Sequence, residues 1–365
     1  MVSRVLIIGG YGNFGSYIAR ALATHPNIVL VICGRSQAKA QQFAKGLDSY
    51  HPAEGIALDI RGDISTSLAL AKPDIVIHTT GPFQDQTFVV AEACIARGCH
   101  YIDLADARDF VTNISSLDGS ARANQVAVVS GASSVPCLTA AIVDAYRPHF
   151  QRLLEIDYAI TAAQQTNRGL ATLSSILSYV GRPFTTLIDG TPRPVYGWQN
   201  LHRHAYPGLA RRWLGNCDIP DLKLFPSRYP ELATLRFFAG AEIGLLHLGL
   251  WFLSWLVRWR LLSLPPLAPA LLRIAFAFDR FGSGNSGFHM FLRGVGADGR
   301  RKEERLYIIA RSGHGPYIPC MPAILLAKRI AEGDPLAPGA RPCLDLIDLD
   351  TYLQALEGLD IVVLK

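Results

Sequence analysis

The 365-residue chain reads as α/β, with an N-terminal doubly wound parallel sheet and a second, mixed α+β domain after it. Three observations predict this. Short β-branched runs alternate with helical patterns through the first 145 or so residues. A glycine-rich turn joins the first run to the first helix. Past residue 150 the alternation yields to longer strands, a Pro- and Gly-rich stretch and apolar helices.

Val5–Ile8 reads as a strand and Phe14–Thr24 as a helix. Ile28–Cys33 is a second strand, and Ser36–Leu47 a helix with Ser36 as its N-cap. Gly55–Asp59 is a weak third strand, followed by a short helix over Ser65–Ala71. Ile75–Thr79 is continuously apolar, as a strand buried on both faces should be. Gln86–Arg97 is a helix closed by Gly98, Tyr101–Leu104 a fifth strand, Ser115–Asn124 a helix and Val126–Ser130 a sixth strand. Six such repeats predict one domain over 1–148. A second domain, 149–320, is expected to hold a strand at Leu153–Ala162, a helix at Thr172–Val180 and apolar helices over 241–279. It also holds an antiparallel pair, Phe288–Val295 with Leu306–Ala310, while 185–240 shows little period. Helices at Pro322–Ala331 and Leu349–Leu356 make 321–365 a C-terminal segment that packs back on the first domain.

Half the residues are hydrophobic and 18% are charged, which excludes overall disorder. A net charge of +5 with no long basic run does not suit nucleic acid binding. The seven cysteines form no CxxC pair, so reduced thiols in a cytoplasmic protein without a metal site are expected. The first apolar run is only four residues long and ends in glycine, too short for a secretory leader.

Ile243–Val257 carries no formal charge, but its 15 residues fall short of a membrane span. Pro265, Pro266 and Pro269 interrupt the next apolar stretch. The first reading is a buried helix and apolar loop, in a core or a subunit interface. The second is a surface over 241–272 for peripheral membrane contact or a lipid-like substrate, with Trp251, Trp255 and Trp259 beside arginines.

The sharpest motif is Gly9-Gly10-Tyr11-Gly12-Asn13-Phe14-Gly15. Following a strand and opening a helix, it meets the context of a dinucleotide fingerprint. Gly10 permits the tight turn, Gly12 lets the backbone approach a pyrophosphate, and Gly15 lets the helix pack on the strand. The helix N-terminus then holds the phosphates. The acid that selects NAD is absent from the end of the second strand, where Cys33-Gly34-Arg35-Ser36 stands instead. A guanidinium at Arg35 and a hydroxyl at Ser36 suit a 2′-phosphate, so NADP is expected ahead of NAD. The alternative for Arg35 is a solvated surface charge. Asp59 is placed either at the adenine edge or as a helix cap. Thr79, Thr80, Gly81 and Pro82, with Phe83, end the fourth strand beside the crevice, either as ribose and nicotinamide contacts or as a plain turn.

The chain resembles the saccharopine dehydrogenase family, in its shorter bacterial saccharopine dehydrogenase-like members. The resemblance rests on IIGGYGNFG, CGRS, DIVIHTTGPF, HYIDLAD, VVSGASSVP, DIPDLKLFPSRYP, GHGPYIPCMPA and GARPC. It covers most of the chain and is patchy over 160–210. It implies a Rossmann NAD(P)-binding domain, a mixed α+β domain for substrate and dimer contacts, and a cytosolic oxidoreductase forming a homodimer. The expected reaction is hydride transfer to or from a C=N or C=O carbon of an amino-acid-derived substrate. The apolar 241–279 region departs from the lysine-pathway members, and the family's enoyl reductases of lipid intermediates supply the alternative. A third reading is a non-catalytic NADP-binding protein that docks on membrane or partner through 241–272.

Candidates for proton transfer are Asp106, after the fifth strand, and His314 and Tyr317, in a glycine-rich loop. Candidates for holding substrate are Arg108, Ser133, Ser134 and Arg168. A surface ion pair or cap, a linker turn and an exposed loop are the plainer accounts of these positions. His78, inside an apolar strand, reads as a satisfied core residue. No carboxylate pair, HExxH or Ser-His-Asp spacing supports hydrolysis or a metal.

Overall fold

The computed structural model describes residues 2–166 and 168–365. It divides into two compact units, Met1–Ala140 with Tyr317–Ala355, and Ala141–Pro316 with Leu356–Lys365.

The first unit is built on β1 (Ser3–Ile8), β2 (Ile28–Gly34), β3 (Glu54–Ala57), β4 (Ile75–His78), β5 (His100–Asp103) and β6 (Ala127–Ser130). All pair in parallel, in the order β6-β5-β4-β1-β2-β3. A seventh strand, Gly339–Pro342, adds beside β6 in parallel register, Ala340 opposite Val128. Val5, Leu6, Ile7 and Ile8 are all buried, because a central parallel strand is covered on both faces. Helices α1 (Asn13–Ala23), α2 (Gln37–Lys45), α3 (Ile64–Ala71) and α4 (Val89–Arg97) provide crossovers. The strand order reverses at β1, so the loops after β1 and β4 flank one crevice at the carboxyl edge of the sheet.

The second unit holds a mixed sheet. The unit's strands are β7 (Phe150–Ala162), β8 (Pro183–Ile188), β9 (Thr191–Tyr196), β10 (His202–His204), β11 (Arg212–Asn216), β12 (Thr234–Ala241), β13 (Ser286–Gly296) and β14 (Arg301–Ala310), of which β8 and β9 stand apart from that sheet. The large sheet runs β10-β11-β12-β7-β13-β14 and ends on Ile361–Leu364. β12 lies parallel to β7, while β13 and β14 pair antiparallel as expected.

Three regions depart from the sequence reading. The 185–240 stretch is ordered: β8 and β9 form a two-stranded hairpin, and Asp221–Arg228 is a helix. The hairpin turns on Asp189 and Gly190, at φ 50° and 73°, the two left-handed residues a tight hairpin needs. Pro192 and Pro194 hid β9, and this small sheet tolerates them because β9 is an edge strand. The helix expected at Leu349–Leu356 forms over Leu349–Gln354, but past it Ile361–Leu364 is a strand, Val363 opposite Ile308, so the last residues belong to the second sheet. The expected helix at Ser115–Asn124 begins as a 3₁₀ turn, Ile114–Leu117, before helix Asp118–Ala123.

The apolar 15-residue helix, Gly244–Arg258, is not a core helix. It shares a small apolar cluster around Leu177, Val180 and Trp198 with the helices Leu170–Tyr179 and Ala268–Ala277. Its only buried residues are His247 and Ser254. No helix among the described residues is long and apolar enough to cross a membrane.

Candidate functional site

The β1–α1 turn is shaped by three glycines. Gly9 adopts φ +79° and its carbonyl accepts from the Gly12 N–H at 2.8 Å. A Cβ on Gly12 would meet that carbonyl oxygen at 2.9 Å. One on Gly15 would sit 2.8 Å from the Gly10 α-carbon and closer still to the Gly9 oxygen. Only hydrogen fits at either place. Gly12 is the N-cap of α1 and brings no side chain to it, and no acid stands in the first turn. The first N–H groups and the positive end of the helix are thus left to an external anion. Asn13 places a buried Oδ1 there without a protein partner, and Phe14 starts the helix beside it.

The β2–α2 corner lies next to this turn. Tyr11 lays its ring over Gly34, where a Cβ would come within 2.7 Å of it. Its hydroxyl accepts a 3.1 Å hydrogen bond from the Ser36 N–H. The Ser36 hydroxyl caps α2 by accepting from the Lys39 N–H, as predicted. Arg35 is exposed at the strand end, with no acid in its place. Asp59 lies past the end of β3 and accepts from the Arg61 N–H at 3.0 Å; it caps no helix, since Asp63 caps α3.

Across the crevice, Thr79 Oγ1 donates to the Ile8 carbonyl at 2.8 Å and tethers the β4 loop to β1. The Gln86 amide donates to the carbonyls of Thr80 and Pro82, spanning Gly81. This loop is therefore braced at both ends.

Sequence reading passed over Asp103, the last residue of β5. It is fully buried, and its Oδ1 accepts from the N–H groups of Ala105 (2.9 Å) and Gly131 (2.8 Å) and from Ser130 Oγ (3.0 Å). Burial lifts its carboxyl pKa to about 6, against the pull of those hydrogen bonds. Asp103 pins together the loops that carry Asp106 and Arg108 on one side and Ser133 and Ser134 on the other. Asp106 is exposed and accepts from the Gln84 amide at 3.3 Å, Arg108 opens helix Arg108–Asn113, and Ser134 is buried while Ser133 is half-buried. His78 is buried, with Nδ1 3.0 Å from the Tyr101 hydroxyl. Burial depresses its pKa to about 3, so the ring is neutral at pH 7. Its Nε2 has no partner, so it is only partly the satisfied core residue expected.

The remaining candidates divide between the units. Tyr317 opens the first unit's helix Tyr317–Ala331 and packs edge-on against Tyr17 at 4.6 Å. His314 belongs to the second unit, where its Nδ1 accepts from the Asp360 N–H at 2.7 Å, so the neutral ring carries its proton on Nε2. Arg168 is built into the second unit's framework: its guanidinium pairs with Asp279 and donates to the carbonyls of Gln164 and Ala275. An unforeseen aromatic group also lies in that unit, with His204 stacked on His289 at 3.9 Å and Tyr206 bonded to His289 Nδ1 at 3.1 Å. Among the described residues no cluster of His, Cys, Asp and Glu could hold a metal, and the seven cysteines are buried and form no disulfide.

The glycine cradle, the open helix end and the acid-free β2 corner fit NADP. Gly10, Gly12 and the first turn of α1 would hold its pyrophosphate, and Arg35 with Ser36 its 2′-phosphate. The saccharopine dehydrogenase NADP binding domain family matches residues 5–131. No curated protein sequence matches the chain. Among solved structures, apo histidine-tagged saccharopine dehydrogenase (L-Glu forming) from Saccharomyces cerevisiae superposes with a TM-score of 0.70 at 15% identity, covering 100% of both chains. An amine dehydrogenase from Mycobacterium smegmatis matches more loosely, TM-score 0.49 at 11% identity over 96% of this chain and 95% of that one. Residues 5–131 thus match a saccharopine dehydrogenase NADP binding domain, and the chain shares its fold end to end with a saccharopine dehydrogenase.

Proposed function

We propose that the protein is an NADP-dependent dehydrogenase that moves hydride to or from a C=N or C=O carbon of an amino-acid-derived substrate. The class, an oxidoreductase, is supported by the NADP binding domain of a dehydrogenase family. The observation that carries the cofactor choice is the corner after β2, where Arg35 stands exposed and no carboxylate is present to take a ribose hydroxyl. Bound NADP supplies or accepts the hydride.

The chain's own residues do the rest. The α1 N-terminus neutralises the pyrophosphate charge. The loop after β4 stays narrow because Thr79 ties it to β1. Asp103 holds the two neighbouring loops in register, so that Asp106 is presented for proton transfer and Arg108, Ser133 and Ser134 for a substrate carboxylate. In the second unit, His314 holds a proton on Nε2, and Tyr317 in the first offers a phenol. The lipid-like alternative, an enoyl-type reductase, draws on the exposed apolar helix Gly244–Arg258.

Fluorescence titration with NADPH and NADH tests the reading. Tighter NADPH binding is expected, and tighter NADH binding would remove Arg35 from its role. Consumption of NADPH in the presence of an oxo acid with an amine, set against an enoyl thioester, then separates the two substrate classes.

A further inference from the structure

Helix Gly244–Arg258 is apolar on both sides. Its inward side packs Leu250, Trp251, Leu253 and Val257 on the small cluster and buries two polar residues among them: His247 stacks on Trp198 at 4.9 Å, and Ser254 Oγ donates to the Trp251 carbonyl at 2.6 Å. Its outward stripe is Leu245, Phe252 and, just past its end, Trp259, exposed by 66%, 58% and 62%. A spacing of seven residues sets these on one face. Exposed Leu261 follows, and the next helix, packed on the same small cluster, exposes Ile274 and Phe276.

At the C-terminal end of that helix lies a cavity of about 550 Å³. Arg182, Arg258 and Arg260 line it together with Leu177, Val257 and Leu264, and none of the described residues lining it is acidic. Arg258 is held in place: its guanidinium lies 3.9 Å over the Tyr196 ring and donates to Gln199 Oε1 at 2.8 Å. Arg260 occupies the left-handed position that ends the helix, φ +61°, closed by the hydrogen bond from the Leu261 N–H to the Leu256 carbonyl. Glycine is the residue that takes this conformation without cost, so the arginine is there despite its backbone.

We propose that this cavity takes the phosphate head of an anionic membrane lipid while the adjoining apolar stripe enters the acyl boundary, docking the second unit on an anionic bilayer. Charge complementarity selects this occupant. From Ile243 to Phe278 the chain has arginines at 258, 260 and 273 and no Asp or Glu. A second copy meeting this face by two-fold symmetry would set arginines against arginines with no carboxylate to pair them. A sheet of phosphates pairs them all.

Co-sedimentation of the full chain with phosphatidylcholine vesicles, with and without phosphatidylglycerol, tests this. The protein should partition to the anionic vesicles, more weakly at high salt. Arg260→Gly should cut that partition about fivefold, the contribution of one basic side chain at a lipid surface, while its thermal midpoint stays level or rises. Phe252→Ser should weaken partition with the fold intact. Equal partition to both vesicles, no partition, or no effect of Arg260→Gly would overturn the proposal. So would saturation of the cavity by inorganic phosphate without vesicle binding, which makes the ligand a free anion, or a dimer that Phe252→Ser dissolves. NADPH titration of the same variants reads the first unit alone, so the two assignments fail separately.

Discussion

Gly15 is packed against Gly10 so closely that a side-chain carbon on it would meet the Gly10 α-carbon at 2.8 Å. The contact sets the angle at which α1 leaves the sheet, and hence where its first N–H groups point. Gly15→Ala forces the turn or the helix to move. It should cost about 1–3 kcal/mol, as overpacking does, and should weaken NADPH binding more than tenfold. Gly119, in a short helix with open space around its α-carbon, is the control: Gly119→Ala should leave binding alone and hold or raise stability. Urea unfolding and NADPH titration of both variants decide it, and a Gly15→Ala protein that binds normally would refute the cradle.

Tyr11 occupies the Ser36 N–H that a 2′-phosphate would also seek. Removing the hydroxyl alone frees that donor. Tyr11→Phe should therefore tighten NADPH binding by up to about fivefold, the worth of one hydrogen bond, and leave NADH unchanged. Weaker NADPH binding would mean instead that the phenol itself contacts the phosphate.

Arg35 is the residue on which cofactor choice turns. A guanidinium–phosphate pair exceeds a neutral hydrogen bond, about 1.5–3 kcal/mol, so Arg35→Ala should weaken NADPH binding by roughly 10–100-fold. NADH, with a free ribose hydroxyl, should lose almost nothing. The ratio of the two dissociation constants is the measurement, and a parallel loss for both cofactors would reduce Arg35 to a general surface charge.

How much of this was legible in the sequence depends on what each residue type reveals alone. Val5–Ile8 and the glycines after it announce themselves, because a central parallel strand is apolar throughout and a tight turn against a helix demands glycine. The hairpin at Asp189-Gly190 was signalled by its turn residues and obscured by two prolines in β9. Asp103 was invisible, since an acid at a strand end reads as solvent-facing and only tertiary structure supplies its three buried donors. Arg168 looked available because its partner, Asp279, is remote in sequence. Helix Gly244–Arg258 was plainly apolar, yet a helix apolar nearly all round does not say which side faces out, and only the packed structure shows His247 and Ser254 turned inward with Leu250, Trp251 and Val257.

Asp103 gives the first unit a defined pH response. Burial raises its folded-state pKa to about 6, above the usual carboxylate value. Folding therefore favours the protonated carboxyl, and the stability this contributes is complete below about pH 4 and disappears as pH rises through about 6. Asp103→Asn removes the titration while keeping an acceptor for the Ala105 and Gly131 N–H groups. The stability of the variant relative to the natural protein should thus climb between pH 4 and 6, by about 3 kcal/mol at most, and level off above. Other carboxylates titrate in the same range but are common to both proteins and cancel in the difference. Urea midpoints at closely spaced pH values give the curve directly. A flat difference would show that the buried carboxylate is ionised at little cost, with the hydrogen bonds from Ser130, Gly131 and Ala105 offsetting its desolvation in full.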